Sequence, residues 1–274
     1  MSSLSEHINQ LQASEAFSKQ APLFDQLYGS NSIIAYKRKR VREHILKYAK
    51  PGSYMLEINC GTGEDALFFA QKGFSIHATD ISEDMLSMLN QKLKSSDCEK
   101  NISSENCSFT ELESLSNKGP FDVIYSNFGG LNCTGELDKV LYELKPLVKP
   151  GGVITLVIIS NFCLWETLLL FKGKFKTAFR RFFSKHGRKA HIEGHRFKCW
   201  YYSSSFIKNI LKKDFTLLDV EGLCTIVPPS YIENFGEKYP RCFSFLKKKE
   251  DNLKSKWPWK YMGDYFIISL KKNS

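Results

Sequence analysis

Glu57-Ile58-Asn59-Cys60-Gly61-Thr62-Gly63 overlaps the short apolar run Tyr54–Asn59 and leads into a segment of helical period, Glu64–Lys72, that closes at Gly73. The run reads as a strand and the glycines as a tight turn. A residue without Cβ takes backbone conformations closed to other residues and leaves room for a ligand. The following helix presents free N–H groups at its first turn. Seventeen residues after Gly63, Asp80 ends a second alternating run, Phe74–Thr79. In an open parallel sheet, ligands bind outside the carboxyl ends of the strands. Turn and acid together therefore predict a cofactor site in which Asp80 accepts hydrogen bonds from ribose hydroxyls.

Outward from this point the periods alternate. Residues 13–29 and 33–49 read as helices, the second capped at Asn31-Ser32 and stopped by Pro51-Gly52. Ser82, followed by Glu83 and Asp84, opens a helix to Lys94. Residues 106–111 read as a weak strand, Phe121–Ser126 as a better one, Leu137–Leu147 as a helix, and Val153–Ile159 as a strong strand after Pro150-Gly151-Gly152. Further on come a helix near Ser203–Leu211, a strand over Phe215–Val227, irregular chain with a helix over 228–262, and a last strand at Tyr265–Leu270. This β-α-β-α rhythm with short connections predicts an α/β fold, a parallel sheet covered on both faces. Residues 161–205 carry no strand signal. Leu164, Leu168, Phe171, Phe175, Phe179 and Phe182 recur there at helical steps.

The composition is that of a globular chain: of 274 residues, 42% are hydrophobic and 25% charged, which excludes fibrous and disordered classes. The net charge of +10 is unevenly spread. Residues 1–160 hold 16 basic and 19 acidic side chains, a balance of −3, and residues 161–274 hold 23 and 10, a balance of +13. The polar start, Met1–Leu11, has no apolar stretch of the secretory kind. The apolar run Val153–Phe171 is interrupted by Asn161 and Glu166 and reads as strand then helix, not as a membrane span. Eight cysteines lie singly, with no C-x-x-C pair and no Cys/His cluster at zinc spacing. Reduced thiols, a cytoplasmic location and no metal are the expectation.

Gly61-Thr-Gly63-Glu-Asp-Ala66 also satisfies the loose dinucleotide pattern G-x-G-x-x-G/A, so an NAD-dependent dehydrogenase is one reading. Glu57, Glu64 and Asp65 argue the other way: acids so placed repel a diphosphate, whereas Glu57 could bind an amine. Glu57–Gly63, Asp80 and the Pro150–Gly152 turn resemble the class I S-adenosylmethionine-dependent methyltransferases, over about residues 50–160. The family's first motif is E/D-x-G-x-G-x-G, and Asn59 stands where its first glycine is expected. Asn is well suited to left-handed backbone.

The resemblance implies a Rossmann-like, doubly wound sheet of seven strands with the last antiparallel, N-terminal helices and an inserted lid. On that reading 1–50 is a helical cap, 51–160 the S-adenosyl-L-methionine-binding core, 161–212 a basic aromatic lid, and 213–274 the strands that complete the sheet. It also implies roles. Gly61 and Gly63 lie against the methionine part of the cofactor, and Glu57 helps hold its amino end. Asp80 holds the ribose and Ile81 packs on the adenine. Glu111 or Leu112 meets the adenine edge, Asn127 stands beside the sulfonium, and Tyr28 closes a helix over the cofactor.

There is no N/D-P-P-Y after the fourth strand and no Pro-Cys in that loop, which disfavours nucleic-acid bases as acceptors; Cys133 reads as a packing residue. The expectation is methyl transfer to oxygen or carbon of a small hydrophobic, even aromatic, acceptor, resembling the quinone-pathway and secondary-metabolite branches. His186, His191 and His195 fall in the basic stretch, and His195 is the candidate base. That stretch reads either as a helix packed on its own core with a solvated basic face, or as a lid that touches an acidic carrier protein, an anionic membrane or a phosphate-bearing substrate. An RNA methyltransferase using the basic half, and a non-catalytic cofactor-binding module, are the rival functions.

Overall fold

The computed structural model describes residues 3–29, 31–182, 184–232 and 234–274, with backbone alone for Ser3, Leu4, Phe24, Leu27 and Tyr28. In chain order the elements are α1 (Ser3–Gln20), α2 (Phe24–Gly29), α3 (Ser32–Leu46), β1 (Tyr54–Ile58), α4 (Glu64–Ala70), β2 (Ser75–Asp80), α5 (Glu83–Lys94) and β3 (Ile102–Asn106). There follow β4 (Phe121–Ser126), α6 (Leu137–Leu147), β5 (Val148–Ile159), α7 (Leu164–Leu168), α8 (Phe175–Phe179), β6 (Arg188–Ile192), β7 (His195–Cys199) and α9 (Ser204–Leu211). The chain ends with β8 (Phe215–Leu223), α10 (Phe235–Lys238), α11 (Pro240–Leu253) and β9 (Tyr265–Lys272).

Seven strands form one sheet in the order β3-β2-β1-β4-β5-β9-β8, and β9 runs antiparallel to both β5 and β8. The expected Rossmann-like sheet with an antiparallel last strand is present. Alternation along each strand sends side chains to two cores. Leu56, Ile58 and Ile124 face α6 through Val140, Leu141 and Leu144. Met55, Ala78 and Tyr125 face the other side, with Phe69 of α4, Leu89 of α5 and Val41 and Ile45 of α3.

Three local expectations are corrected. The third strand is 102–106, not 106–111. It is an edge strand paired to β2 alone, so Ile102-Ser-Ser-Glu-Asn106 needs little apolar content, while Phe109 and Leu112 enter the core from a loop. Residues 188–199, read as strandless, form a hairpin. Its turn is Glu193-Gly194, both at positive φ (47° and 82°), a two-residue connection that fits strand twist. The apolar stripe from Leu164 to Phe182 is not one helix. It breaks after Lys172 at Gly173 (φ +70°).

α1 starts ten residues before its predicted position, at Ser3 rather than 13, and its polar residues Glu6, Asn9, Gln10 and Gln20 are buried. Asn9 Nδ2 donates to the Cys133 carbonyl at 2.8 Å, and its Oδ1 accepts from Lys198 N at 2.6 Å. Glu6 accepts from Gly135 N at 3.1 Å, and Gln10 from Ser108 and Thr110 hydroxyls, each at 2.8 Å. The hairpin β6–β7 thus buttresses α1 from behind.

α3 is held by charge. Asn31 caps it, accepting from Ile33 N and Ile34 N. One face carries Arg40, whose guanidinium donates to Glu221 of β8 at 2.8 Å and to Tyr36 Oη at 2.8 Å. Glu221 also meets His44 and Lys47. Burial alone would raise the Glu221 carboxyl, but hydrogen bonds and charges of His44, Lys47 and Arg40 hold it far below the usual range. Glu250 of α11 accepts from Cys224, Thr225, Ile226 and Val227 N–H groups and from Tyr36. Removing one partner of a buried pair leaves the other charge uncompensated. Arg40→Ala is therefore expected to cost about 3–5 kcal/mol, a fall in Tm of roughly ten degrees or more by calorimetry. A loss below about 1 kcal/mol would assign the pair the weight of a surface bridge.

Candidate active site

The register of β1 on β2 sets Ile58 beside Thr79, so the two chains leave the sheet side by side at Asn59 and Asp80. Asn59 (φ 51°), Gly61 (φ 56°) and Gly63 (φ 76°) are all left-handed. No atom lies within 4 Å of where a Gly61 Cβ would stand, whereas a Gly63 Cβ would strike Leu89 of α5 at 2.2 Å. Gly61 thus leaves room for a ligand, and Gly63 lets α4 pack on α5. Asp80 turns back over the turn. Its Oδ2 accepts from Gly61 N at 2.8 Å and its Oδ1 from Ser82 N at 2.9 Å.

Asn59 has a reason beyond conformation. Its Oδ1 accepts from Ser126 Oγ at 2.7 Å and its Nδ2 donates to the Asn127 carbonyl at 3.3 Å, which ties the end of β1 to the end of β4. Gly130 makes room for it: a Cβ there would lie 2.5 Å from Asn59 Nδ2.

These strand ends open on a cavity with about 930 Å³ of free space, its mouth included. Glu57, Asn59, Gly61, Asp80, Ile81 and Asn127 line it. Gly63 stands behind, as the N-cap of α4. α1 forms the cover through Gln10, Ala13, Ser14 and Phe17, and Met85, Phe109 and Phe128 add apolar wall. No described residue of 161–212 is on the wall; the β6–β7 part of that stretch meets α1 instead. The side chain of Tyr28 lies outside the described residues.

Glu111 and Leu112 are not brought to the cavity. Leu112 is fully buried in the core and its N–H donates to Glu143 at 2.8 Å. Glu111 is half exposed and lies 3.9 Å from His7. His195 is on the hairpin, its Nδ1 3.1 Å from Glu15 on α1, and it does not line the cavity. Sequence reasoning missed Phe109, two residues before Glu111, and the first ten residues of α1, Gln10 of the cavity cover among them. An aromatic in a loop after an edge strand was the available signal for the first. For α1 there was none, because polar hydrogen bonds hold it in place.

Two carboxyls are buried in the cavity floor. Burial, then the nearby Asp65 charge, pushes Glu57 well above the ordinary carboxylate range, although Tyr125 Oη donates to its Oε2 at 3.0 Å. Burial also raises Asp80, against its backbone hydrogen bonds. The acids at the start of α4 are neutralised instead: Asp65 by Arg42 at 2.6 Å, and Glu64 by Arg38 and Lys92. Asp65 also accepts from Asn127 Nδ2 at 2.6 Å. Glu57 has no cation within ion-pair distance among the described residues. The floor therefore suits a ligand that brings its own hydrogen-bond donors and positive charge, and the walls suit a flat apolar ring. S-adenosyl-L-methionine, with an ammonium, ribose hydroxyls and an adenine, fits that donor set.

Residues 55–152 match the family model described as "Methyltransferase domain". The chain is 26% identical over 258 residues to an uncharacterized protein, MJ1252, of Methanocaldococcus jannaschii, covering 90% of this chain and 94% of that one. It is 31% identical over 144 residues to the demethylmenaquinone methyltransferase of Leptospira interrogans, covering 51% of this chain and 57% of the relative. The chain thus spans little more than half the length of that curated methyltransferase. Its fold is similar to 1,6-didemethyltoxoflavin-N1-methyltransferase of Burkholderia thailandensis, solved with 1,6-didemethyltoxoflavin and S-adenosylhomocysteine. The TM-score is 0.58 at 14% identity, over 100% of this chain and 92% of that one.

Two substitutions check the geometry. Gly130→Ala is expected to destabilise by about 1–3 kcal/mol through the clash with Asn59, and Asn59→Gly in that background to recover most of the loss in chemical unfolding. Simple additivity of the two changes would contradict the pairing. Glu57 holds its proton more tightly folded than unfolded, so its contribution to stability is full at low pH and lost as pH rises through its raised pKa. Glu57→Gln should therefore raise Tm at neutral pH, and the gain should vanish on acidification. A lower Tm at neutral pH would show that the charged form is the one the fold favours.

Proposed function

We propose, on the premise that residues 55–152 of this chain are a class I S-adenosylmethionine-dependent methyltransferase domain, that it transfers a methyl group to oxygen or carbon of a small hydrophobic, ring-bearing acceptor. The observation that carries this reading is the cavity at the strand ends, with two buried carboxyls in its floor and aromatic walls beneath α1. Bound S-adenosyl-L-methionine would supply an electrophilic methyl group. The residues of this chain bind, align and keep out water.

Asp80 would accept from the ribose hydroxyls, as its carboxylate is fixed by Gly61 N and Ser82 N. Glu57 would face the amino end. An ammonium there favours the ionised carboxyl, so affinity is expected to rise with pH through the raised pKa of Glu57. Ile81, Met85 and Phe109 would pack around the adenine, the place the family resemblance gave to Glu111 and Leu112. Asn127, held by Asp65, would present its end of β4 to the reacting centre. Phe17, Phe128 and Cys133 remain for the acceptor.

No imidazole lines the cavity among the described residues, and His195 stands outside it. This supports an acceptor that ionises readily by itself, such as a ring hydroxyl or its adjacent carbon. The likeness to a demethylmenaquinone methyltransferase supports the same acceptor class. With tritiated methyl donor and reduced 1,4-naphthoquinone, label should enter the organic phase. Asp80→Ala should weaken cofactor affinity by roughly 10- to 100-fold through loss of charge-assisted hydrogen bonds. His195→Gln should leave the rate within a few-fold. Label appearing in RNA, or a rate abolished by His195→Gln, would overturn the acceptor and base assignments respectively.

A further inference from the structure

Residues 164–182 have their polarity reversed. Arg181 is 3% exposed and Glu166 1%, while Phe171 is 89% exposed and Phe175 61%. Leu168, Phe179 and Phe182 are also exposed, and Phe182 joins Phe179 and Phe162 in one cluster of rings, with centroids 6.1 and 5.8 Å apart. The segment is firmly seated. Both Arg180 and Arg181 reach Glu166, and Arg181 also donates to Asp264 Oδ1 at 2.6 Å and to the Ser160 carbonyl at 2.9 Å. The inward ionic cluster thus fixes a tip, turning at Gly173, whose outer side is aromatic.

Monomeric proteins rarely leave so many large apolar side chains together in water without a partner for them. The charges identify the partner. Lys172, Lys174 and Lys176 are exposed between the phenylalanines and take part in no ion pair among the described residues. Residues 167–192 contain no Asp or Glu. Rings that can enter the boundary of headgroups and acyl chains, with lysine ammoniums at phosphate level, are the chemistry of an interfacial anchor. No helix among the described residues is long and apolar enough to cross a membrane, so the contact would be peripheral. We propose that residues 168–182 dock this protein on an anionic lipid bilayer. The inference is independent of the methyltransferase reading.

The test is cosedimentation of the full chain with vesicles of phosphatidylcholine alone and of phosphatidylcholine mixed with phosphatidylglycerol. Wild type should bind the anionic vesicles, and added salt should weaken the binding. With each lysine worth about five-fold, Lys172→Gln, Lys174→Gln and Lys176→Gln together should weaken it by about two orders of magnitude. Phe171→Ser with Phe175→Ser should weaken it comparably, with Tm unchanged because both side chains are exposed. Neither variant should alter affinity for S-adenosylhomocysteine, since none of these residues lines the cavity, so failure here and failure of the catalytic reading are separable. Equal binding to both vesicle types, undiminished binding by either variant, or pelleting that requires an added acidic protein would overturn the proposal.

Discussion

The hydrogen bond from Gly61 N to the Asp80 carboxylate is the constraint on which the site depends. It joins the loop leaving β1 to the end of β2, alongside the Cys60 N–H that reaches the Thr79 carbonyl at 2.9 Å. Both bonds follow from a register that sets Ile58 opposite Thr79. The sheet thereby fixes three left-handed residues whose conformations would not persist in isolation. The same carboxylate is kept out of bulk water, where each remaining lone pair has high value to a donor that can reach it. Sheet, turn and acid form one device, and the cavity is its consequence.

The other layers serve this device by different physics. On one face apolar packing holds α6; on the other, α3 is tied to β8 by an ionic network and positions Arg38 and Arg42 against the acids of α4. Those two arginines pair with Glu64 and Asp65, while burial and the Asp65 charge keep the Glu57 pKa raised. α1 closes the cavity with polar hydrogen bonds, an arrangement that can be undone by water more readily than an apolar interface. The positive surplus of residues 161–274 divides in the same way: Arg180, Arg181 and Lys254 are spent on internal carboxylates, and the lysines near Gly173 face outward.

Much of the core was legible from residues 54–159 because local signals and tertiary demands agree there. Glycines mark turns that need positive φ, Asn31 and Ser82 cap their helices through their own side chains, and buried parallel strands are near-continuous apolar runs. The sequence was misleading where burial is one-sided or polar. β3 has only one neighbour, so its pattern is weak, and the apolar residues after it belong to a loop. β7 alternates neutral and charged residues, β6 does not, and the Glu193-Gly194 turn between them was the remaining signal. The Phe stripe left two readings open, a helix packed on its own core or a lid, because period alone cannot say which way a face points. In the fold that face points to solvent.

The central claim is that the turn after β1 and the acid ending β2 grip an adenosyl sulfonium donor. Its most direct test is isothermal titration of the full chain with S-adenosylhomocysteine, run beside NADH. The account predicts one site of micromolar affinity for the first ligand and no heat of binding for the second. Silence with S-adenosylhomocysteine at millimolar concentration, or saturable binding of NADH, would contradict it.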